Sequence, residues 1–212
     1  MKLLKKIALL LMVLTIPLSM TSCKTSCKKY DIENIGTISI LDYEIENYPD
    51  VIAEVKYASD FLPALSDLSE YTNIRYSYRE RYYGLLFFLP MFVSEDVTLF
   101  VEYPEDIYEQ KKAETLANYE FITEEIYDSD GDLKSPLAQF EYKGYSFQAD
   151  INEETVYAVK SFVLVGYNDQ ANKIAYCYFY DFDLDVLAWS GEDPLTAMHK
   201  FMDEHFYWND IA

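Results

Sequence analysis

Residues 161–182, SFVLVGYNDQANKIAYCYFYDF, decide the fold. Two runs dense in Val, Tyr and Phe, Ser161–Tyr167 and Lys173–Phe182, flank the turn-forming segment Asn168-Asp169-Gln170-Ala171-Asn172. β-branched and aromatic residues suit a pleated surface, so this reads as a β-hairpin in the middle of an antiparallel sheet. A second hairpin precedes it. Gln139-Phe140-Glu141-Tyr142 and Tyr145-Ser146-Phe147 are joined by Lys143-Gly144, where glycine supplies the positive φ of a tight turn. Parallel neighbours need long crossovers, so two hairpins argue against a strictly wound parallel α/β sheet.

Working towards the N-terminus, Val97–Tyr103 (VTLFVEY) and Ile74–Arg79 (IRYSYR) are further strand patterns. Between them Gly84–Val93 (GLLFFLPMFV) is almost wholly apolar. Ten residues are too few to cross a bilayer. The expectation is a buried strand broken near Pro90, with an exposed patch dipping into a membrane interface as the alternative.

Three helices fit around the strands. Leu62, Leu65, Leu68 and Tyr71 recur every three residues after an entry near Ser59 and Asp60. Pro104 opens a second, about Glu105 to Glu120, with Tyr108, Leu116 and Tyr119 on one side. The third is the best marked: Asp193 as N-cap, Pro194 at the first helical position, then Leu195, Met198, Met202 and Phe206 at helical spacing. Helices and strands that do not alternate strictly predict an α+β two-layer sandwich, a mainly antiparallel sheet with about three helices packed on it.

Composition narrows the chemistry. Of 212 residues, half are apolar and 17% aromatic, a globular balance. Against 17 Lys and Arg stand 37 Asp and Glu, a net charge of −20 that repels phosphate backbones, so no nucleic-acid partner is expected. The nearest two of six glycines, Gly131 and Gly144, lie thirteen apart, and neither a dinucleotide fingerprint nor a P-loop can be written. No cofactor is expected.

Four groups of residues remain as candidates. All three arginines of the chain, Arg75, Arg79 and Arg81, alternate along one strand with Ser77 between them, so they share a face. A row of guanidinium forks is how carboxylate, sulfate or phosphate is held bidentately. These three are the expected ligand-binding residues; the competing reading pairs them with acids of a neighbouring strand. Asp181, Asp183 and Asp185 also share a face, but about 7 Å separates alternate residues, too wide for one calcium ion without help. Asp128-Ser129-Asp130-Gly131-Asp132 fails the EF-hand register, because Gly131 as sixth residue puts Ile126 first and Leu137 twelfth. It reads as a turn, and no metal site is expected. His199 and His205, six apart on the last helix, project about 120° from one another and read as structural. Carboxylates for glycoside hydrolysis are abundant but unlocated, which leaves a surface hydrolase as the runner-up. Cys177 reads as a small apolar core residue, and the 21 tyrosines as half-buried strand residues.

The N-terminus carries an address. Lys2, Lys5 and Lys6 precede a twelve-residue apolar run, Ile7–Leu18, and small polar residues follow. Twelve residues rise about 18 Å as a helix, short of the roughly 30 Å hydrocarbon core, so the run reads as a signal-peptide core. Its end, Met20-Thr21-Ser22-Cys23, resembles the lipobox of bacterial lipoproteins, with Met20 where that family prefers Leu. The chain is also similar to small uncharacterised lipoproteins of low-GC Gram-positive bacteria in its short leader, early cysteine and acidic, tyrosine-rich body. The resemblance implies diacylglyceryl transfer to the Cys23 thiol and removal of residues 1–22. The expected organisation is therefore a signal peptide (1–22), a lipidated tether (23–29) and one globular domain (30–212). Lys24, Lys28 and Lys29 can draw the tether onto an anionic leaflet at about 1 kcal/mol each. The expected partners are the membrane, through the lipid, and an extracellular protein, peptide or cell-wall ligand recognised without catalysis.

Overall fold

The computed structural model describes residues 29–34, 37–85, 89–151, 160–181 and 186–208. Eight strands form one antiparallel sheet: β1 (Lys29–Asn34), β2 (Thr37–Asp42), β3 (Asn73–Leu85), β4 (Leu89–Glu102), β5 (Gln139–Tyr142), β6 (Tyr145–Ile151), β7 (Ser161–Asn168) and β8 (Lys173–Asp181). Their spatial order is β1-β2-β3-β4-β8-β7-β6-β5. The two sequence-legible hairpins thus make one half of the sheet, and the long β3–β4 hairpin with β1 and β2 makes the other. β8 returns beside β4, from Ser94 opposite Asp181 to Glu102 opposite Lys173, and closes the seam between the halves.

Among the described residues four α-helices cover the sheet: α1 (Tyr48–Glu54), α2 (Ala58–Phe61), α3 (Glu105–Leu116) and α4 (Pro194–His205). The chain is α+β with a mainly antiparallel sheet, and each face of that sheet carries its own apolar cluster. On one face Tyr76, Val97, Leu99, Val165, Ile174 and Tyr176 pack with Val51 and Ile52 of α1, Ala58 of α2 and Tyr108 of α3. On the other, Phe100, Phe147, Phe162, Leu164, Cys177 and Phe179 pack with Met198, Phe201 and Met202 of α4. This departs from a picture of helices gathered in one layer, and the cause is local. Residues 161–166 and 174–180 are buried without interruption, because both faces of β7 and β8 are covered.

α4 begins as its sequence dictates: the Asp193 carboxylate accepts from the Thr196 amide and hydroxyl, and Pro194 opens the first turn. α3 ends at Leu116 rather than near Glu120, and its Tyr108 hydroxyl and Lys112 ammonium both reach Asp169 in the β7–β8 turn. The leucine repeat after Ser59 resolves into the single turn of α2 and a 3₁₀ turn at Leu65–Asp67, with Leu62 buried and Tyr71 exposed. α1 had no periodicity long enough to announce it, though Pro49 sits in its first turn. β4 runs through Pro90 unbroken. Within it Pro90 lies opposite Gly84 of β3.

Candidate functional site: an arginine row divided between core and surface

Strand alternation puts Arg75, Ser77, Arg79 and Arg81 on the α4 side of β3, and the register decides what each meets. Asp96 of β4 lies opposite Arg79 and Ser94 opposite Arg81. Arg79 Nε donates to Asp96 Oδ2 at 3.0 Å, with side chains only 5% and 1% exposed. Its Nη2 donates to the Glu204 carbonyl at 2.8 Å. Arg81 Nη2 donates to the same carbonyl, and Arg81 Nη1 to Nδ1 of His205 at 2.8 Å. Two guanidinium groups therefore sit at the C-terminal, negative end of α4, the end at which a helix gains from cations.

His205 follows from that arrangement. Burial and the charges of Arg81 and Arg79 hold its imidazole well below the usual histidine range, so it stays neutral and offers Nδ1 as an acceptor. Its ring stacks on Phe201 and meets Phe179 edge-on. His199 donates from Nε2 to the Glu141 carbonyl at 2.8 Å. Both histidines are bound into the packing of α4 on the sheet.

Arg75 has a different setting. β2 ends at Asp42, opposite Tyr78, so among the described residues the N-terminal half of β3 has β4 on one side and no strand on the other. There the chain turns away through Tyr43 and Ile45, while the segment after α4 brings Tyr207 across from the opposite face. Tyr43 and Tyr207 stack with centroids 6.3 Å apart and planes 17° apart. Together with Ile45, Ile74, Arg75, Tyr76 and Ser77 they line a recess of about 330 Å³ at the sheet edge. That volume is at the small end of ligand sites, and the lining mixes aromatic faces with a few polar groups, as such sites do. Ser77 is 3% exposed, and its hydroxyl meets no hydrogen-bond partner among the described residues. A buried hydroxyl left in that state gains from any ligand that pairs with it. Of the three arginines, Arg75 is the one the fold brings to a recess.

A second constellation lies on the other face. Glu80 and Glu95 are direct cross-strand partners. The Tyr82 hydroxyl donates to the Glu80 carboxylate, and Tyr78 donates to Glu95 at 3.0 Å. Burial pushes the Glu95 carboxyl up to about 7, with repulsion from Glu80 and Glu54 adding to it and the Tyr78 hydrogen bond opposing it. Lys56 stands nearby, its Nζ 3.4 Å from the Tyr180 hydroxyl and over the rings of Tyr57 and Tyr180.

The acidic loops behave as turns. Asp128 accepts from the amides of Asp130 and Asp132 at 2.9 Å each, and Gly131 takes φ +85°. Among the described residues no group of three His, Cys, Asp or Glu is placed to hold a metal ion. Cys177 is unpaired and fully buried, and burial raises its thiol well above the ordinary range. Cys23, Cys27, Asp183 and Asp185 lie outside the described residues. Tyr43 and Tyr207 are the site residues that sequence reasoning missed. Nothing in a linear pattern joins two tyrosines so far apart. Comparison with family models, curated proteins and solved structures found no match to this chain.

Proposed function

We propose that the chain is a lipid-anchored binding protein of the extracytoplasmic face of the cell membrane, recognising a protein, peptide or cell-wall ligand at the β3 edge without catalysis. Three features of the leader support the address: its basic start, its short apolar run and the Met20–Cys23 motif. Among the described residues no helix is long and apolar enough to cross a membrane. A lipid on Cys23 would then leave the residues before β1, which begins at Lys29, as a tether and the sheet domain exposed. Two or three acyl chains hold stably where one holds weakly.

The observation that carries the binding role is the recess itself, where Arg75, the buried Ser77 hydroxyl and the Tyr43–Tyr207 pair line one small volume. A guanidinium fork beside aromatic walls suits an anionic group borne on a flat ring or a short peptide. Titration calorimetry with a uronic-acid oligosaccharide tests it. Binding should weaken at least fivefold in Arg75→Ala and in Tyr207→Ala. Equal affinity in all three proteins would remove the recess as the site. A second reading, a carboxylate-based surface hydrolase, draws on Glu80 and Glu95. One carboxyl held protonated near neutrality beside a second is the pairing acid–base hydrolysis requires. Glycosidase activity abolished by Glu95→Gln would favour it.

A further inference from the structure

At the end of the molecule formed by the start of α4, three short segments lie side by side. Tyr127 bridges Leu133, and Leu133 bridges Ala188, both antiparallel. Backbone bonds from Lys134 to Ile126 (2.8 Å), from Asp128 to Asp132 (3.0 Å) and from Leu187 to Leu133 (2.7 Å) hold them in register. Leu133 and Ala188 point inward and pack with Ala197 of α4. Leu187 packs on the same apolar residues, whereas Trp189 on the other side of Ala188 is exposed. The outer surface carries Asp128, Asp132 and Trp189 in one cross-strand row, with Ile126 and Lys134 beside them.

Two properties of this surface stand out from the rest. Trp189 is 69% exposed, more than any other large apolar side chain described. Around it, segments 128–134 and 187–193 hold Asp128, Asp130, Asp132, Glu192 and Asp193, with Lys134 beside Asp128 and Lys200 of α4 paired with Glu192 at 2.6 Å. The backing is firm: the Ser190 amide donates to the Asp132 carboxylate, and the Glu192 amide to the Trp189 carbonyl at 2.9 Å. A surface already ordered in this way gives up little freedom when a partner arrives.

We propose that this face docks a cationic polypeptide segment, with a Lys or Arg side chain of the partner over the Trp189 ring and its charge against the Asp128–Asp132 row. An indole attracts cations through its quadrupole, and tryptophan is enriched where interfaces concentrate their energy. The carboxylate row accepts an ammonium group in the protein itself, since Lys134 Nζ lies 3.4 Å from Asp128 Oδ2. The field of the whole molecule agrees: a net charge of −20 draws basic partners in and repels anionic lipid surfaces. This surface is separate from the β3 recess, and the proposal stands or falls without it.

The test uses the full chain and fluorescently labelled hexa-arginine, read by anisotropy at low and moderate salt, with labelled hexaglutamate as control. Hexa-arginine should bind the wild type, and its affinity should fall as salt rises. Trp189→Ala, at an exposed site where the fold has little to lose, should weaken binding fivefold or more. Trp189→Phe should keep part of it, and Asp130→Asn should cost about twofold. Because the chain has two tryptophans and Trp208 is buried, the change in tryptophan emission on binding should vanish with Trp189. Hexa-arginine bound as tightly by Trp189→Ala as by the wild type would overturn the proposal, because the general acidic field would then account for all the binding. So would absence of binding at low salt, or a blue shift of Trp189 on phosphatidylserine vesicles, which would make the face a membrane contact.

Discussion

Replacing Arg79 with leucine should unfold the protein more readily while leaving recognition at the β3 recess in place. Arg79 and Asp96 face each other across β3 and β4, both nearly sealed from water. Removing the guanidinium leaves the Asp96 carboxylate buried without its ion-pair partner and takes one donor from the Glu204 carbonyl at the end of α4. Breaking a buried pair from one side costs about 3–5 kcal/mol. For a chain of this size that corresponds to a fall in Tm of about 6–20 °C. The cross-strand row containing the pair reads Leu41-Arg79-Asp96-Phe179, so its flanks are already apolar and buried. The double variant Arg79→Leu/Asp96→Leu would extend that apolar row, and it should recover most of the loss. Urea unfolding followed by far-UV circular dichroism measures all three proteins. If Arg79→Leu also lies within about 1 kcal/mol of wild type, or the double variant is no more stable than the single, the pair does not hold the seam of the sheet.

Three further outcomes follow from particular contacts. A Cβ on Gly166 would lie 2.3 Å from the Phe147 ring on the neighbouring strand, so Gly166→Ala should cost about 1–3 kcal/mol by urea unfolding, and a change below about 0.5 kcal/mol contradicts that packing. The folded state holds the Glu95 proton up to about pH 7, whereas the unfolded chain releases it near the ordinary carboxyl value. Its contribution is therefore full in acid and lost as pH rises through 7, and Glu95→Gln should gain on wild type by about 1–2 kcal/mol between pH 5 and pH 8, a figure discounted because the carboxyl is partly exposed. A difference between the two proteins that does not change with pH would show an unshifted carboxyl. Asp193→Ala removes the cap of α4 and should lower stability by about 1 kcal/mol, which Asp193→Asn should largely restore.

The parts of the fold that sequence made legible are those whose signals are local. The β5–β6 and β7–β8 hairpins carry their turns between strand-forming runs, and α4 carries its cap, its proline and its apolar spacing within fourteen residues, 193–206. The placing of helices on both faces was written there too, though less plainly: Phe162-Val163-Leu164-Val165 does not alternate in polarity, because neither side of that strand meets water. α1 and α2, at seven and four residues, are too short for periodicity to register, and their stability comes from burying Tyr48, Val51 and Ala58 on the sheet. Alternation correctly put the three arginines on one face. It could not say that Asp96 would stand opposite Arg79, that the end of α4 would cover Arg81, or that β2 would stop short of Arg75. Those are facts of register and of long-range docking, as is the meeting of Tyr43 with Tyr207.

Where the protein resides governs which partners can reach either surface, and mass spectrometry of the N-terminal peptide isolated from native membranes reads this most directly. The mature chain should begin at Cys23, its thiol carrying a diacylglyceryl thioether, and Cys23→Ala should release the protein from the detergent phase. A native N-terminus that keeps residues 1–22, or a Cys23 with a free thiol, would contradict it.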